Sequence, residues 1–226
     1  WEELSGDESK ELIFQEMWNA DSERLDFEGI DIQDKKTVLM YGRSFKLLDW
    51  KDGSVDVQPL DIYDVVVDPL TLPLNIDTAR FIIRQNIFRS LREILADDRY
   101  TKEGKNKLKT FLSSKEGLIQ SSMNTEEWQK KQERLQAMGV TSSEFPLFAA
   151  GDQLVNLSEH FTNIWDGKKF VKHVVVYADD NVELFNDTLD SLLGIDFWPF
   201  SSWAEDIETT DFWSDAVADL VRTPNK

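Results

Sequence analysis

The sequence predicts an α+β fold, with mixed or antiparallel sheets built from β-hairpins and with helices packed on them. Three observations predict it. Apolar residues near the start, Leu12, Ile13, Phe14, Met17 and Trp18, recur at helical spacing. Further on, Asp52-Gly53 and Asp166-Gly167 each separate two strand-like runs, and glycine there tolerates the positive φ of a tight hairpin turn. Charged helical patterns then occupy the middle of the chain, and an amphipathic one closes it.

In chain order, a second helix is expected from about Ile32 to Tyr41, with Asp31 or Asp34 near its start and Gly42 as its stop. Phe45, Leu47, Leu48 and Trp50 lead through Lys51-Asp52-Gly53 to alternating Val55 and Val57, the first hairpin. Ile62 to Val67 reads as a buried strand closed by Asp68-Pro69, and Leu70 to Thr78 as a surface loop. Arg80 to Ile87 reads as the next strand. Ser90 then caps a short helix, Leu91 to Ala96, with Glu93 completing a capping box. A lysine-rich helical stretch carries Leu108, Phe111 and Leu112 as its apolar side, and a densely charged helix is expected from Thr125 to about Met138. Leu154 to Trp165 and Phe170 to Tyr177 flank the second hairpin, and Val182 to Phe185 adds a strand. Phe212, Trp213, Ala216, Val217, Leu220 and Val221 fall at helical spacing behind Thr210 and Asp211. These elements divide into an N-terminal part over residues 1–99, a helical lysine-rich insertion over 100–150, and a hairpin region over 151–226 that leads into a final helix.

Composition narrows the function. Eight Trp and fourteen Phe supply a core, so global disorder is excluded. The absence of Cys removes disulfides, thiolate metal sites and a Cys nucleophile. No apolar run reaches the roughly 18 residues that a membrane helix needs. A start at Trp1 and a stop just behind a helical pattern lead us to expect an excerpt of something longer. The formal charge is −18, unevenly spread: residues 1–79 carry 7 basic and 19 acidic side chains, residues 80–134 carry 13 and 8, and residues 135–226 carry 5 and 16. A chain that wraps DNA tightly shows a dominant basic face, which this one lacks.

Candidate chemistry is sparse. There is no phosphate-binding glycine loop and no nucleophile elbow. If Asp166-Gly167 is a two-residue turn, His160 and His173 face each other within about 5.5 Å, close enough to share a metal or to resist double protonation near pH 6. No third ligand accompanies them, and half-exposed hairpin histidines are the simpler reading. Asp179-Asp180 follows an apolar strand, as metal-binding carboxylates do in some phosphoesterases and nucleases; Asp-Asp-Asn is equally good turn chemistry. Lys102, Lys105, Lys107 and Lys109 could meet DNA phosphate or an acidic partner, although a charge run is usually a solvated helix face. The aromatic run Phe197, Trp198, Phe200 and Trp203 is expected to be core. These residues predict no catalytic, cofactor or metal site. The alternatives kept beside a structural role are a metal-dependent phosphoesterase or nuclease, and a generic adaptor that docks through its lysines.

Asp61-Ile62-Tyr63-Asp64-Val65-Val66-Val67-Asp68-Pro69 leads to Ile76-Asp77-Thr78-Ala79-Arg80-Phe81-Ile82-Ile83-Arg84. Later come Glu159, Trp165-Asp166-Gly167-Lys168-Lys169, Phe197-Trp198-Pro199-Phe200-Ser201-Ser202-Trp203, and Asp211-Phe212-Trp213-Ser214-Asp215-Ala216-Val217-Ala218-Asp219-Leu220. In order and spacing these passages, with Trp18 to Phe45 before them, resemble the wing region of tailed-bacteriophage portal (head-to-tail connector) proteins. Ser214 departs from the glycine common there, and residues 100–150 have no counterpart. The resemblance implies that Asp68, Pro69, Ala79, Arg80, Asp166, Gly167, Pro199, Phe200, Phe212, Trp213 and Asp219 are structural signature residues, with the last helix as the approach to the stem. It also implies a homo-oligomeric ring, commonly a dodecamer, at one capsid vertex of the virion, assembled in the host cytoplasm. Such a ring is no enzyme and carries no cofactor or membrane segment. Its partners are the terminase packaging motor, capsid and scaffold, head-completion or tail proteins, and DNA that passes through without sequence-specific binding.

Overall fold

The computed structural model describes residues 8–51, 54–137, 152–179, 182–204 and 212–213. Helix α1 (Glu8–Arg24) is followed by α2 (Phe27–Tyr41). The second helix starts earlier than the expected Ile32, because Asp26 adopts a left-handed conformation (φ 49°) and its carboxylate accepts the Gly29 amide proton. Asp31 and Asp34, the expected starters, instead bind Lys35 and Lys46. Gly42 ends the helix as expected, at φ 83°, donating its N–H to the Val38 carbonyl.

Strand β1 (Arg43–Lys51) pairs with β2 (Ser54–Leu60) in a register that joins Lys51 to Ser54. That is the expected hairpin; its turn residues, 52 and 53, lie outside the described residues. The expected strand Ile62–Val67 is only half a strand. Asp61 accepts from the Tyr63 amide and turns Ile62–Asp64 into a short 3-10 helix, leaving β3 as Val65–Val67. Asn75 likewise caps a 3-10 turn, Ile76–Thr78, before β4 (Phe81–Ser90). Ladder positions on β4 shift between Arg84 and Ile87, and Asn86 sits at φ 57°, a bulge.

Helix α3 (Leu91–Ala96) carries the complete Ser90–Glu93 capping box. Next come α4 (Lys102–Leu112) and α5 (Lys115–Ala137), the latter starting at Lys115 rather than Thr125. Strands β5 (Leu154–Trp165), β6 (Phe170–Ala178) and β7 (Val182–Thr188), the short helix α6 (Leu189–Leu193) and β8 (Phe200–Ala204) complete the described elements. Apart from Phe212 and Trp213, the expected final helix lies outside them, as do Met138 and Asp219.

Among the described residues every strand ladder is antiparallel, in a three-stranded sheet ordered β2-β1-β8 and a five-stranded sheet ordered β3-β4-β5-β6-β7. The fold is α+β. Two-residue alternation sends Phe45, Leu47, Leu60 and Phe200 inward from one sheet, and Val65, Val67, Ile82, Phe161, Val174 and Val176 from the other. The sheets meet where the Phe161 ring stands edge-on to Phe200, centroids 4.8 Å apart. Burying each such side chain contributes about 1.5–3 kcal/mol. Leu108 and Leu112 of α4 extend the same core. Gly104 lets α4 approach β7 closely, since a Cβ there would stand 2.6 Å from the Glu183 carbonyl oxygen. Among the described residues no helix is long and apolar enough to cross a membrane.

Candidate functional site

Parts of several of the passages that carry the resemblance meet at one corner of the fold. Arg43, just past the α2 stop signal, is buried. Its guanidinium donates to the Ser202 Oγ (3.1 Å) and the Pro73 carbonyl (3.1 Å), and lies 4.2 Å from the Phe212 ring centroid. Phe212 and Trp213 both lean on Phe45, at 5.9 and 5.6 Å. Trp198 is buried, donating its indole N–H to the Ala79 carbonyl (2.9 Å) and its backbone N–H to Asp77 Oδ1 (2.8 Å). Lys172 bridges to the same Asp77 and sits over the Trp198 ring. The Pro199 carbonyl accepts from the Leu48 amide at 2.8 Å, and Phe200 pairs with Leu47.

Beside this corner, Asp68 closes the loop that Leu70 to Thr78 forms. Its buried carboxylate accepts from Arg80 Nε (2.6 Å), Arg80 Nη2 (2.9 Å), the Arg80 amide (3.2 Å) and the Leu70 amide (3.1 Å). The Arg80 side-chain bonds hold the Asp68 carboxyl far below the usual carboxylate range. Asp68-Pro69 and Ala79-Arg80 thus act as the two ends of a clasp. Asp166 and Gly167 stand apart, at a hairpin tip.

That hairpin corrects one expectation. Trp165 pairs with Phe170, so four residues, not two, form the connection. Asp166 makes the wider loop, its carboxylate accepting from the Lys168 (2.7 Å) and Lys169 (2.8 Å) amides. His160 therefore opposes Val175, and His173 opposes Thr162. The two histidines are not cross-strand partners. His160 stands edge-on to Tyr177 (5.0 Å) and meets the Ser158 hydroxyl, whereas His173 meets the Asn186 side-chain oxygen.

Asp179 is buried in the β6–β7 turn at φ 48°. Its Oδ1 accepts from Asn124 Nδ2 (2.8 Å) and the Asn156 amide (3.1 Å), tying the turn to α5. Asp180 lies outside the described residues, among which no three His, Asp or Glu side chains group to hold a metal. The lysines divide as well. Lys105 donates to the Leu95 carbonyl, Lys107 pairs with Glu103 at 2.7 Å, and Lys102 and Lys109 are exposed. Of the aromatic run, Trp198 and Phe200 are core, but Phe197 and Trp203 are exposed against expectation. They fall on the solvent side of the same segment.

A polar cleft of about 100 Å³, which sequence reasoning missed, lies where α5 meets the β4 bulge. Arg134 clamps Asp61 (2.6 and 2.9 Å) and stacks over Tyr63. Lys131 reaches Asp64 (2.5 Å) and the Asn86 carbonyl (2.9 Å), while Asn86 donates to Asp64 (2.9 Å). Burial raises the Asp64 carboxyl pKa against the opposing pull of Lys131. Every one of these charges is matched by a neighbour, which suits a helix anchor better than a reaction centre. Only the spacing of Lys131 and Arg134 on one helical face hinted at it. No protein-family model matches this sequence, and no curated protein is significantly similar to it.

Proposed function

We propose that this chain is the wing region of a phage portal subunit, a structural component of a ring through which DNA is packaged and ejected. One observation carries the reading. Parts of four of the segments that resemble the family, at Arg43, Asp68 to Arg80, Trp198 to Trp203 and Phe212-Trp213, are distant in sequence yet interlock at one corner through Arg43, Ala79 and Trp198, while Trp165 to Lys169 stands apart at a hairpin tip. Chance similarities scattered along a chain have no reason to form one packed unit. The acidic balance, −18 overall, fits a wall past which DNA slides without being gripped. The terminase motor, capsid and tail proteins would then be its partners, with the capsid vertex its place.

Light scattering and negative-stain imaging of the longest native polypeptide that carries this sequence test the reading. A closed ring with a central channel supports it. A monomer or dimer that persists across salt and protein concentration overturns it.

A further inference from the structure

The clasp that holds Asp68 also surrounds a reactive bond. Of the six prolines in the chain, only Pro69 follows an aspartate. The bond between them is a tertiary amide, and the aspartate's own carboxylate can close a five-membered ring onto the carbonyl carbon. Three groups stand around this bond. The Asp68 carbonyl oxygen accepts from the Thr71 amide (3.0 Å) and from the Thr71 hydroxyl (2.6 Å). Two donors aimed at one carbonyl oxygen are the arrangement that stabilises a tetrahedral oxyanion. Pro69 is exposed, so water can protonate its nitrogen as it leaves. The third group opposes the other two. Arg80 takes both carboxylate oxygens, Nε on Oδ2 (2.6 Å) and Nη2 on Oδ1 (2.9 Å). The Arg80 and Leu70 amides add one donor to each. The carboxylate's roughly four lone-pair sites are thus all engaged, and none is left to attack.

We infer that Asp68–Pro69 is a latent self-cleavage site, which Thr71 activates and Arg80 keeps silent. The Arg80 side chain is 65% exposed, so it is the part of the clasp that an outside anion can reach and draw away. Once it leaves, an Asp68 carboxylate oxygen attacks the Asp68 carbonyl carbon. Its electron pair forms the new C–O bond, and negative charge moves onto the carbonyl oxygen beneath Thr71. Collapse of that intermediate breaks the C–N bond, and the Pro69 nitrogen takes a proton from water. The cyclic anhydride left on residue 68 then takes up one water and reopens to two carboxylates. The sum is hydrolysis of one peptide bond, with water as the only other reactant. The two pieces, 1–68 and 69–226, stay associated, because Val65–Val67 pairs with Ile82–Arg84 and Phe45 shares a core with Phe161. What the cut frees is one end of the loop from Leu70 to Thr78, whose Pro73 carbonyl Arg43 holds. None of this depends on a ring.

The test is mass spectrometry of the denatured full chain after long incubation at about pH 6, where carboxylates are ionised. Three rates are compared: folded wild type, wild type unfolded in urea, and folded Arg80→Met. Folded wild type is expected to be the slowest, and the new end must be Pro69. Arg80→Met should outpace the unfolded chain about tenfold or more, as a pair of oxyanion donors does. Adding Thr71→Val to Arg80→Met should take most of that gain away, and Arg80→Lys, which keeps the charge without the fork, should fall between. Equal rates for folded and unfolded wild type overturn the restraint, and that comparison needs no variant to fold. An Arg80→Met chain that stays intact, or is cut no faster than the unfolded chain, overturns the activation. The mass of the longest native polypeptide decides the ring separately.

Discussion

Between the two sheets, Phe45, Leu47 and Phe200 share one apolar core with Ile82, Phe161 and Val176. Under α5, the groups that meet the sheet are the Ser121 hydroxyl on the Leu154 amide, the Asn124 amide on the Leu154 carbonyl and Asp179, Lys131 on Asp64, and Arg134 on Asp61. The first interface is non-directional and strong per area; the second is directional, each bond net worth about 1 kcal/mol because water competes for the same groups. The comparison teaches that the sandwich sets global stability, and that the α5 contacts set where one helix lies. A helix held this way can come off without the sheets melting.

The largest expected effect follows from the sandwich. Phe161→Ala is expected to cost about 3–5 kcal/mol, read as a lower denaturant midpoint, since it empties the point where the sheets touch. A loss below about 1 kcal/mol would mean that the sheets are not the stability core. Next is Asp68→Asn, which removes the charge that Arg80 clasps, at a cost of about 2 kcal/mol at neutral pH. The folded-state pKa of Asp68 is depressed, so its contribution is complete above the unfolded carboxyl value near 4 and is lost as pH falls through the lower folded one. Asp64 has the opposite sign: its raised folded-state pKa means that protonation on acidification favours the folded state. Acid titration of stability should therefore flatten in Asp68→Asn, and an unchanged acid limb would refute the clasp.

Asn124→Ala sharpens the contrast. It leaves the buried Leu154 carbonyl and Asp179 short of a donor, at about 1–3 kcal/mol. Hydrogen exchange should rise along α5 while β4 and β5 stay protected; equal rises in both would erase the distinction between the regions. The smallest effect belongs to Lys107→Ala. Its pair with Glu103 is exposed and screened by water, and no change in melting temperature is expected by calorimetry.

The parts legible in the sequence are those decided by local chemistry. Ser90 with Glu93, Gly42, and the two-residue connection at 52–53 each follow from groups within a few residues. The first half of the sheet-facing stripe of α5 was not legible, because Gly117, Ser121 and Asn124 give no apolar period, whereas Trp128 and Leu135 further on do; the partners of Asn124, Leu154 and Asp179, are set by strands far along the chain. The 166–169 loop was misread for a smaller reason. Asp166 can cap two amides with one carboxylate, and that choice widens the turn and moves His160 away from His173. Arg43 was invisible as a corner element, since only the tertiary fold brings it Pro73, Ser202 and Phe212.

The bulge in β4 gives that strand something like a reading frame. Ile82 pairs with Phe161 and Ile87 with Leu157, so both belong to core-facing positions although they lie five positions apart, against four on β5. A regular strand cannot do this; the extra residue absorbs the mismatch. Deleting Gln85 or Asn86 would therefore close the ladder up into a regular strand with Ile82 and Ile87 still opposite Phe161 and Leu157; what it would take away is the kink that carries Asn86 to Asp64 and to Lys131. The extra residue is thus punctuation that the core can do without and α5 cannot, and its loss should leave the sandwich standing while slackening the hold of α5 on β4.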